Sequence, residues 1–184
     1  MKISKTQIKG CFVIKFDKHF DSRGSFIKTF NKDLYKNTDF ASFDLHEEYY
    51  SSSNKNVFRG FHFQKPPHDH NKFVYCISGS VVDYFLDIRL YSKTYGKICS
   101  VKLGNDENAF DAVYLPKGIA HGFLSEVDNS TLVYKTDTMY DAESDDGINM
   151  RSFNDIINID NVIISERDSS FKDFAEFKTP FNQL

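Results

Sequence analysis

The sequence predicts an all-β fold, and three observations support this prediction. Aromatic residues make up 16% of the 184 residues, mainly as Phe and Tyr, and such side chains favour strands. Short strand-like runs recur at intervals of roughly ten residues. Turn-forming sequences rich in Gly, Pro, Asn and Ser separate the runs. This spacing is typical of a sandwich, a jelly roll or a barrel, and the chain length suits a single domain over residues 1–184.

The elements can be placed in order along the chain. A first strand is predicted over residues 11–16, and a short polar helix or turn follows at residues 31–37. The sequence of residues 21–26, taken alone, predicts a turn. Further strands are predicted over residues 56–64, 73–77, 80–90, 97–103, 110–115 and 131–136.

The run at residues 80–90 alternates between two faces. One face is apolar, and its members are Val82, Tyr84, Leu86, Ile88 and Leu90. The other face mixes apolar and charged side chains, and its members are Val81, Asp83, Phe85, Asp87 and Arg89. Because successive side chains of a strand point to opposite sides, the mixed face predicts a barrel wall with a polar site inside.

A short helix is predicted near the C-terminus. Ser165 and Asp168 have the spacing of a capping box. Phe171, Phe174 and Phe177 follow at helical intervals. This combination predicts a short closing helix.

Composition and charge exclude several classes of partner. The net charge is −3 and the charges are scattered, which argues against a nucleic-acid partner. No apolar run approaches the ~20 residues that span a bilayer, and the first residues lack the apolar region of a signal peptide. The three cysteines, Cys11, Cys76 and Cys99, have no metal-type spacing and read as reduced thiols. We therefore expect a cytoplasmic protein without a membrane partner.

Residues 56–64 hold the densest candidate chemistry. His62 and Arg59 lie in a strand that is otherwise suited to a core. A His among aromatic residues is usually structural, but imidazole titrates near neutral pH and suits a general base. The guanidinium of Arg59 is suited to a phosphate or carboxylate. Tyr134, at the end of another strand, is either a core residue or a proton donor held in a pocket.

Two further patterns contain histidines. Pro116, Gly118 and His121 have the spacing of the second cupin motif, which they resemble, and this places His121 at a strand entrance. His68 and His70 are spaced like a metal-binding pair. However, no carboxylate follows them until Asp83, and the nearby Lys72 would repel a cation. We therefore predict no metal, although a metal-dependent cupin oxygenase remains an alternative.

Several motifs in the same order together resemble one family. They are Asp21-x-Arg23-Gly24, residues 59–64, residues 71–74, residues 87–89, residues 92–96, residues 115–123, Tyr134-Lys135 and Ser165-x-x-Asp168. On these motifs the chain resembles the dTDP-4-dehydrorhamnose 3,5-epimerase family of the cupin superfamily, from about Gly10 to Asp168. The resemblance implies a cupin-type jelly-roll β-barrel with a few short helices. It also implies a homodimer whose sites borrow residues near Arg23 from the partner chain.

The resemblance assigns catalytic roles. His62 matches the general base, Asp168 the carboxylate that orients it, Tyr134 the general acid, and Lys72 a residue that stabilises negative charge on a sugar oxygen. The substrate-binding positions that it implies are Arg23, Phe26, Lys28, Glu47, Tyr49, Arg59, His121, Tyr140 and Arg167. The implied reaction inverts C3 and/or C5 of a nucleotide-linked 4-keto-6-deoxyhexose without metal or other cofactor. The implied setting is deoxysugar synthesis for lipopolysaccharide or capsule.

Three positions on the nucleotide side depart from the family pattern. Lys28 replaces a Glu, Glu47 replaces a Gln, and Tyr49 replaces an Asn. Lys28 and Glu47 either pair with each other or read a different base, such as cytosine. Two alternatives therefore remain open. One is an epimerase of a single centre, C3 or C5, on a CDP-linked or other nucleotide sugar. The other is a non-catalytic sugar-binding cupin.

Overall fold

A computed structural model describes residues 1–104, 106–157 and 160–182 of the chain. The fold is nearly all β, as predicted. In chain order the strands are β1 (Lys2–Lys5), β2 (Phe12–Lys15), β3 (Lys18–Asp21), β4 (Gly24–Ile27), β5 (Glu47–Ser53), β6 (Phe58–Gln64), β7 (Lys72–Ser78), β8 (Ser80–Asp87), β9 (Ile98–Gly104), β10 (Ala112–Leu115), β11 (Ile119–Ser125), β12 (Ser130–Thr136) and β13 (Asp145–Gly147). The helices are α1 (Lys32–Tyr35), α2 (Glu166–Ser169) and one 3₁₀ turn (Met150–Phe153).

The strands form two main antiparallel sheets in the described chain. The larger sheet has the order β1-β2-β10-β7-β12-β5, and the smaller has the order β13-β6-β11-β8-β9. Strands β3 and β4 form a separate hairpin. Neighbours in a sheet are often distant in sequence, which is typical of a jelly roll.

Alternating side chains of both sheets meet between them in one buried core. Members from the larger sheet include Val74 on β7 and Leu132 on β12, and members from the smaller sheet include Val81 and Phe85 on β8. Each sheet also has a covered outer face. Phe40 and neighbouring aromatic residues cover the larger sheet, and the C-terminal segment covers the smaller one. The sheets therefore enclose an interior into which any inward polar side chain must project.

The structure confirms the strand predictions for β2, for β6 through β10 and for β12. The run at residues 80–90 ends as a strand at Asp87, and its two-faced pattern is real: Val81 and Phe85 face the interior while Tyr84 and Leu86 face outward. The sequence did not indicate β5, whose residues are mostly polar. Among the described residues this strand lies at the edge of its sheet and pairs with β12 alone, so it needs no apolar alternation.

Two predictions are corrected. The sequence at residues 21–26 is the tip and second strand of the β3–β4 hairpin rather than a simple turn. The C-terminal helix begins as predicted, with Ser165 as its N-cap, but it ends after one turn at Ser169. Phe174 and Phe177 follow in non-helical chain and still pack on the smaller sheet, so their periodicity reflects packing rather than a helix. In the part of the chain described, no helix is long and apolar enough to span a membrane.

Candidate active site

A cleft of about 270 Å³ opens between the two sheets beside the interior core. The smaller sheet contributes side chains from β6, β11 and β13, and the larger sheet contributes side chains from β5, β7 and β12. The residues that line it are Tyr49, Ser51, Arg59, His62, Phe63, Gln64, His70, Lys72, His121, Phe123, Tyr134, Tyr140, Asp145 and Arg167. The cleft is thus built by strands from both halves of the sequence.

His62 enters the cleft from β6 and pairs with Asp168 behind it. On β6, Phe61 and Phe63 pack on the outer face, so the alternation turns His62 inward. The His62 Nε2 atom lies 2.9 Å from Asp168 Oδ1. Because a carboxylate only accepts hydrogen bonds, the proton of the neutral ring lies on Nε2. The lone pair of Nδ1 is then free to accept a proton.

Asp168 is held by backbone as well as by His62. It lies in α2, only 4% exposed, and its Oδ2 accepts a hydrogen bond from the Gly60 backbone N–H at 3.1 Å. Burial opposes ionisation, but the hydrogen bonds from His62, Gly60 and Ser165 outweigh it and lower the pKa of Asp168 below its usual value. The carboxylate therefore remains charged and fixes the orientation of the imidazole.

Gly60 allows β6 and β11 to approach closely at this point. Its φ is +130°, and a Cβ at this position would lie 2.4 Å from Gly122 Cα and 2.7 Å from the His121 carbonyl oxygen. Both obstacles are backbone atoms, so a side chain here requires the strands to separate. The close approach aligns His62 with His121, which are Cα partners in the ladder.

Tyr134 projects into the cleft from β12 in the larger sheet. Its ring stacks on Tyr49 with a centroid distance of 4.8 Å, and its hydroxyl lies 3.1 Å from Ser51 Oγ. Burial raises the pKa of Tyr134 well above its ordinary value. The phenol therefore keeps its proton at neutral pH and can donate it into the cleft.

Lys72 lies at the start of β7, on the same inward face as Val74 and Cys76. The side chain is 6% exposed, and burial lowers the pKa of Lys72 to about 8, although Asp145 and Asp83 favour its charged form. No ion pair to Lys72 occurs among the described residues. A buried ammonium without a carboxylate partner is suited to an anionic oxygen of a ligand.

A second His–Asp pair lies deeper in the cleft. His121 Nε2 is 2.7 Å from Asp83 Oδ2, and both side chains are buried. The Asp83 Oδ1 atom has no hydrogen-bond partner among the described residues, and burial raises the pKa of Asp83. The rings of His121 and Tyr134 meet edge to face, with 6.2 Å between their centroids. This pair places a second polarisable group next to the phenol.

The mouth of the cleft carries positive charge. Arg59 is anchored by Ser53, with its Nε 3.0 Å from Ser53 Oγ. Arg167 pairs with Asp145 at 2.6 Å, and both line the cleft. Tyr140 lies nearby, largely exposed, with its backbone N–H bonded to Glu47 at 2.9 Å. Two guanidinium groups beside an exposed aromatic ring suit a phosphate chain attached to a planar base.

Comparison with known proteins identifies the family. The sequence profile of dTDP-4-dehydrorhamnose 3,5-epimerase matches residues 5–176. The chain belongs to this family. The dTDP-4-dehydrorhamnose 3,5-epimerase of Shigella flexneri is 30% identical over 178 residues, which cover 96% of this chain and 97% of that protein.

Two other members of the epimerase family are informative. One is the dTDP-6-deoxy-D-glucose-3,5-epimerase of Legionella pneumophila, whose crystal structure is in complex with dTDP-4-keto-L-rhamnose. That structure matches this one with a TM-score of 0.88 and 29% sequence identity, and the match covers 100% of this chain and 99% of that chain. The dTDP-4-dehydrorhamnose 3-epimerase of Streptomyces niveus is 32% identical over 148 residues, which cover 80% of this chain and 70% of that protein. The jelly-roll fold implied by the resemblance is thereby confirmed.

Most side chains that the family resemblance singled out lie together. The cleft brings together His62, Lys72, Tyr134, Tyr49, Arg59, His121, Tyr140 and Arg167. Asp168 lies directly behind His62. These residues come from strands far apart in sequence, and their functional roles remain predictions.

Four predicted epimerase residues lie outside the cleft of this single chain. Arg23 pairs with Asp21 at the tip of the β3–β4 hairpin, and Phe26 and Lys28 are exposed on or after the same hairpin. Glu47 bonds the Tyr140 backbone rather than lining the cavity. No Lys28–Glu47 ion pair forms within the described chain. The predicted pairing of these two side chains is therefore not present inside one protomer.

Sequence reasoning missed several residues around the site. Asp83 and Asp145 belong to polar pairs, Ser51 bonds the Tyr134 hydroxyl, and Gln64 and His70 line the same wall. The mixed face of residues 80–90 is the signal that could have identified Asp83. Nothing in the sequence alone indicated the contacts of Asp145, Ser51, Gln64 and His70.

The His68 and His70 pair does not form a metal cluster in the described ranges. His68 Nδ1 bonds Ser144 Oγ at 2.9 Å, whereas His70 Nδ1 lies 3.3 Å from Gln64 Nε2. No group of three or more His, Cys, Asp or Glu side chains with metal-binding geometry occurs among the residues that the structure describes.

Proposed function

We propose that the chain is an epimerase of a nucleotide-diphosphate-linked 4-keto-6-deoxyhexose. The observation that carries this proposal is that a His–Asp pair and a buried Tyr, whose chemistry suits a base and an acid, lie on opposite walls of one cleft. His62, oriented by Asp168, belongs to the smaller sheet, and Tyr134 belongs to the larger. Inversion at carbon requires that a proton leave one face and return to the other. The two walls supply these two faces.

The reaction can be written with the groups present. His62 Nδ1 takes the proton from C3 or C5, and the C–H electron pair forms the enolate of the C4 ketone. The negative charge develops on the C4 oxygen, where the ammonium of Lys72 stabilises it. The Tyr134 hydroxyl then delivers a proton to the opposite face of the carbon. The imidazolium loses its proton to solvent and the tyrosinate regains one, so the site returns to its starting state.

The mouth supports binding of the nucleotide diphosphate. Arg59 and Arg167 carry fixed positive charge there, and Tyr140 offers an exposed ring next to them. His121 is buried with Asp83, which favours a contact with the sugar rather than with the outer part of the ligand. We propose that Tyr49, Glu47 and Lys28 then set the preference for the base.

The number of inverted centres is decided by one experiment. The protein is incubated in heavy water with dTDP-4-keto-6-deoxyglucose and with its CDP counterpart, and deuterium at C3 and C5 is followed by NMR. Incorporation at both carbons of the dTDP sugar identifies a 3,5-epimerase. Incorporation at one carbon identifies a single-centre enzyme, an activity named for the Streptomyces niveus relative. Preference for the CDP sugar would assign Lys28 and Glu47 to recognition of cytosine.

We also propose a homodimer with shared sites. The β3–β4 hairpin projects large apolar side chains into solvent: Phe20 is 75% exposed and Phe26 is 64% exposed. Arg23 at its tip is a cation outside the cleft of its own chain. Insertion of the hairpin into a partner would bury these rings and add Arg23, Phe26 and Lys28 to the partner's cleft.

Mixing two inactive variants tests this arrangement. Arg23→Ala removes the borrowed cation, and His62→Asn removes the base. If the subunits of the two variants are exchanged by mild unfolding and refolding, half of the dimers are hybrids, each with one intact site. Activity should return to about a quarter of the wild-type value. No recovery, with hybrids confirmed by mass spectrometry, would place Arg23 in the site of its own chain.

The non-catalytic alternative, a sugar-binding cupin, makes a different prediction. It requires binding of the nucleotide sugar with no exchange of carbon-bound protons in the wild-type protein.

We further propose that residues 1–184 form a single domain that acts in the cytoplasm. Residues 105, 158, 159, 183 and 184 lie outside the described chain. The free thiols of Cys11, Cys76 and Cys99 support a reducing compartment, which cell fractionation tests.

A further inference from the structure

His70, a residue that lines the cleft, carries one polar atom with no use in the reaction described above. The Nε2 atom of His70 is buried and has no hydrogen-bond partner among the described residues. His70 lines the same cleft as Lys72, two residues further along the chain, and the charge of Lys72 acts on its ring. An unpartnered polar atom in this position costs stability unless something else bonds it.

The orientation of the Gln64 amide decides which nitrogen of His70 carries the proton. Gln64 Oε1 accepts a hydrogen bond from the Asp141 backbone N–H at 2.7 Å. Gln64 Nε2 donates to the His68 carbonyl oxygen at 2.7 Å. Since these two backbone groups have opposite polarity, the amide has only one satisfactory orientation.

The Gln64 Nε2 atom has two further contacts, one with the Met139 carbonyl oxygen at 3.3 Å and one with His70. Gln64 Nε2 lies 3.3 Å from His70 Nδ1. An NH₂ group only donates, so Nδ1 must be the acceptor, because an Nδ1–H would set two donors against each other. The proton of the neutral ring therefore lies on Nε2. The unpartnered atom is a hydrogen-bond donor.

The ring is also held in its neutral form. Burial lowers the pKa of His70 to about 2, and the positive charges of Lys72 and Lys117 act in the same direction. Near neutral pH His70, which lines the cleft together with Lys72, thus carries a fixed and uncharged Nε2–H.

We propose that His70 donates its Nε2–H to the substrate and shares with Lys72 the sugar oxygen that gains negative charge. This proposal rests on the proposed epimerase function for the identity of that oxygen. A donor fixed in advance and aimed at developing charge stabilises the transition state without reorganising at the moment of reaction. The Gln64 amide, anchored to backbone at both ends, acts through His70 as a positioning residue.

Two variants separate donation from packing. His70→Phe keeps a ring of similar shape and removes both nitrogens. His70→Gln places an amide N–H near the position of Nε2 and so restores a donor. Asp155→Asn is the control, because Asp155 is exposed and does not line the cleft.

Steady-state rates of deuterium incorporation at C3 and C5 provide the first measurement. We expect His70→Phe to lower kcat by about 100-fold, the cost of one donor to a developing oxyanion, with a much smaller change in KM. His70→Gln should recover at least about tenfold of that loss, and Asp155→Asn should match the wild type. Equal kcat in His70→Phe and Asp155→Asn would overturn the proposal. The proposal would also be overturned if His70→Gln folded normally and yet lost as much kcat as His70→Phe.

An NMR measurement tests the role of His70 independently of whether the protein is an epimerase. Ring ¹⁵N shifts of His70 in the free protein should show a protonated Nε2 and an unprotonated Nδ1, unchanged between about pH 5 and pH 8. Saturation with dTDP-glucose, which lacks the ketone and cannot react, should shift the Nε2 resonance. An unprotonated Nε2, or no shift on saturation, overturns the proposal. Wild-type protein without proton exchange on any nucleotide sugar, but with these two NMR results, would instead overturn the epimerase function alone.

Discussion

Replacing Asp168 by Asn tests the central pair of the site, because the structure specifies what the amide must do. Asp168 Oδ2 accepts from the buried Gly60 N–H, and Oδ1 accepts from His62 Nε2. An Asn has one acceptor oxygen, which the Gly60 N–H requires. Its NH₂ group then faces His62 and forces the ring proton onto Nδ1, the nitrogen that we propose as the base.

The size of the effect follows from two costs. Turning the amide to restore the active tautomer leaves the Gly60 N–H opposite a donor, which costs about 1–3 kcal/mol. The imidazolium formed in the reaction also loses a charged hydrogen-bond partner, worth about 1.5–3 kcal/mol. Together these costs lower kcat by about 10²- to 10⁴-fold, while KM changes little because neither atom binds the substrate.

The assay is the rate of deuterium incorporation in heavy water, with Asp155→Asn as a control. Asp155 is an exposed carboxylate outside the cleft, so its removal should leave kcat unchanged. Folding is checked by thermal unfolding. Since the pKa of Asp168 is lowered in the folded state, its carboxylate stabilises the fold above the unfolded pKa and this contribution disappears as the solution is acidified. A folded Asp168→Asn variant with kcat within about threefold of wild type would refute the reasoning.

Three further variants test other parts of the site. Tyr134→Phe should lower epimerisation by about 10²- to 10⁴-fold yet retain exchange of the proton whose removal we assign to His62. Equal loss of both in NMR would argue against Tyr134 as the acid. Because Lys72 has a pKa of about 8, its charge is present below that pH and lost above it, so kcat should fall as pH rises through about 8. Lys72→Met should abolish this alkaline fall, lower kcat at all pH values and raise the melting temperature at pH 7, since it removes a buried charge; a lower melting temperature would contradict this. Gly60→Ala should destabilise the fold by more than about 2 kcal/mol, because its Cβ meets the backbone of Gly122; a denaturant midpoint close to wild type would show that the strands can separate freely.

The sequence allowed prediction of much of the fold where local patterns and packing agree. Buried strands such as β8 carry continuous apolar or alternating residues, so their presence is visible in the sequence, whereas the end of β8 at Asp87 falls within its alternating pattern. Strand β5 was missed because an edge strand with one neighbour needs little apolar surface. The phenylalanines after α2 repeat like a helix, yet the chain there only follows the outer surface of the smaller sheet.

The amino-acid sequence sets which chemical groups are available: a histidine, a tyrosine, a lysine and several arginines within motifs that resemble one family. Their arrangement was decided only by the tertiary structure. Antiparallel pairing of strands distant in sequence set His62 against His121, and closure of the two sheets placed Tyr134 opposite. The tautomer of His70 likewise depends on Gln64, Asp141 and His68 converging in space. Hydrogen bonds act over about 3 Å, so the neighbours that set a proton's position are defined only once the chain has folded.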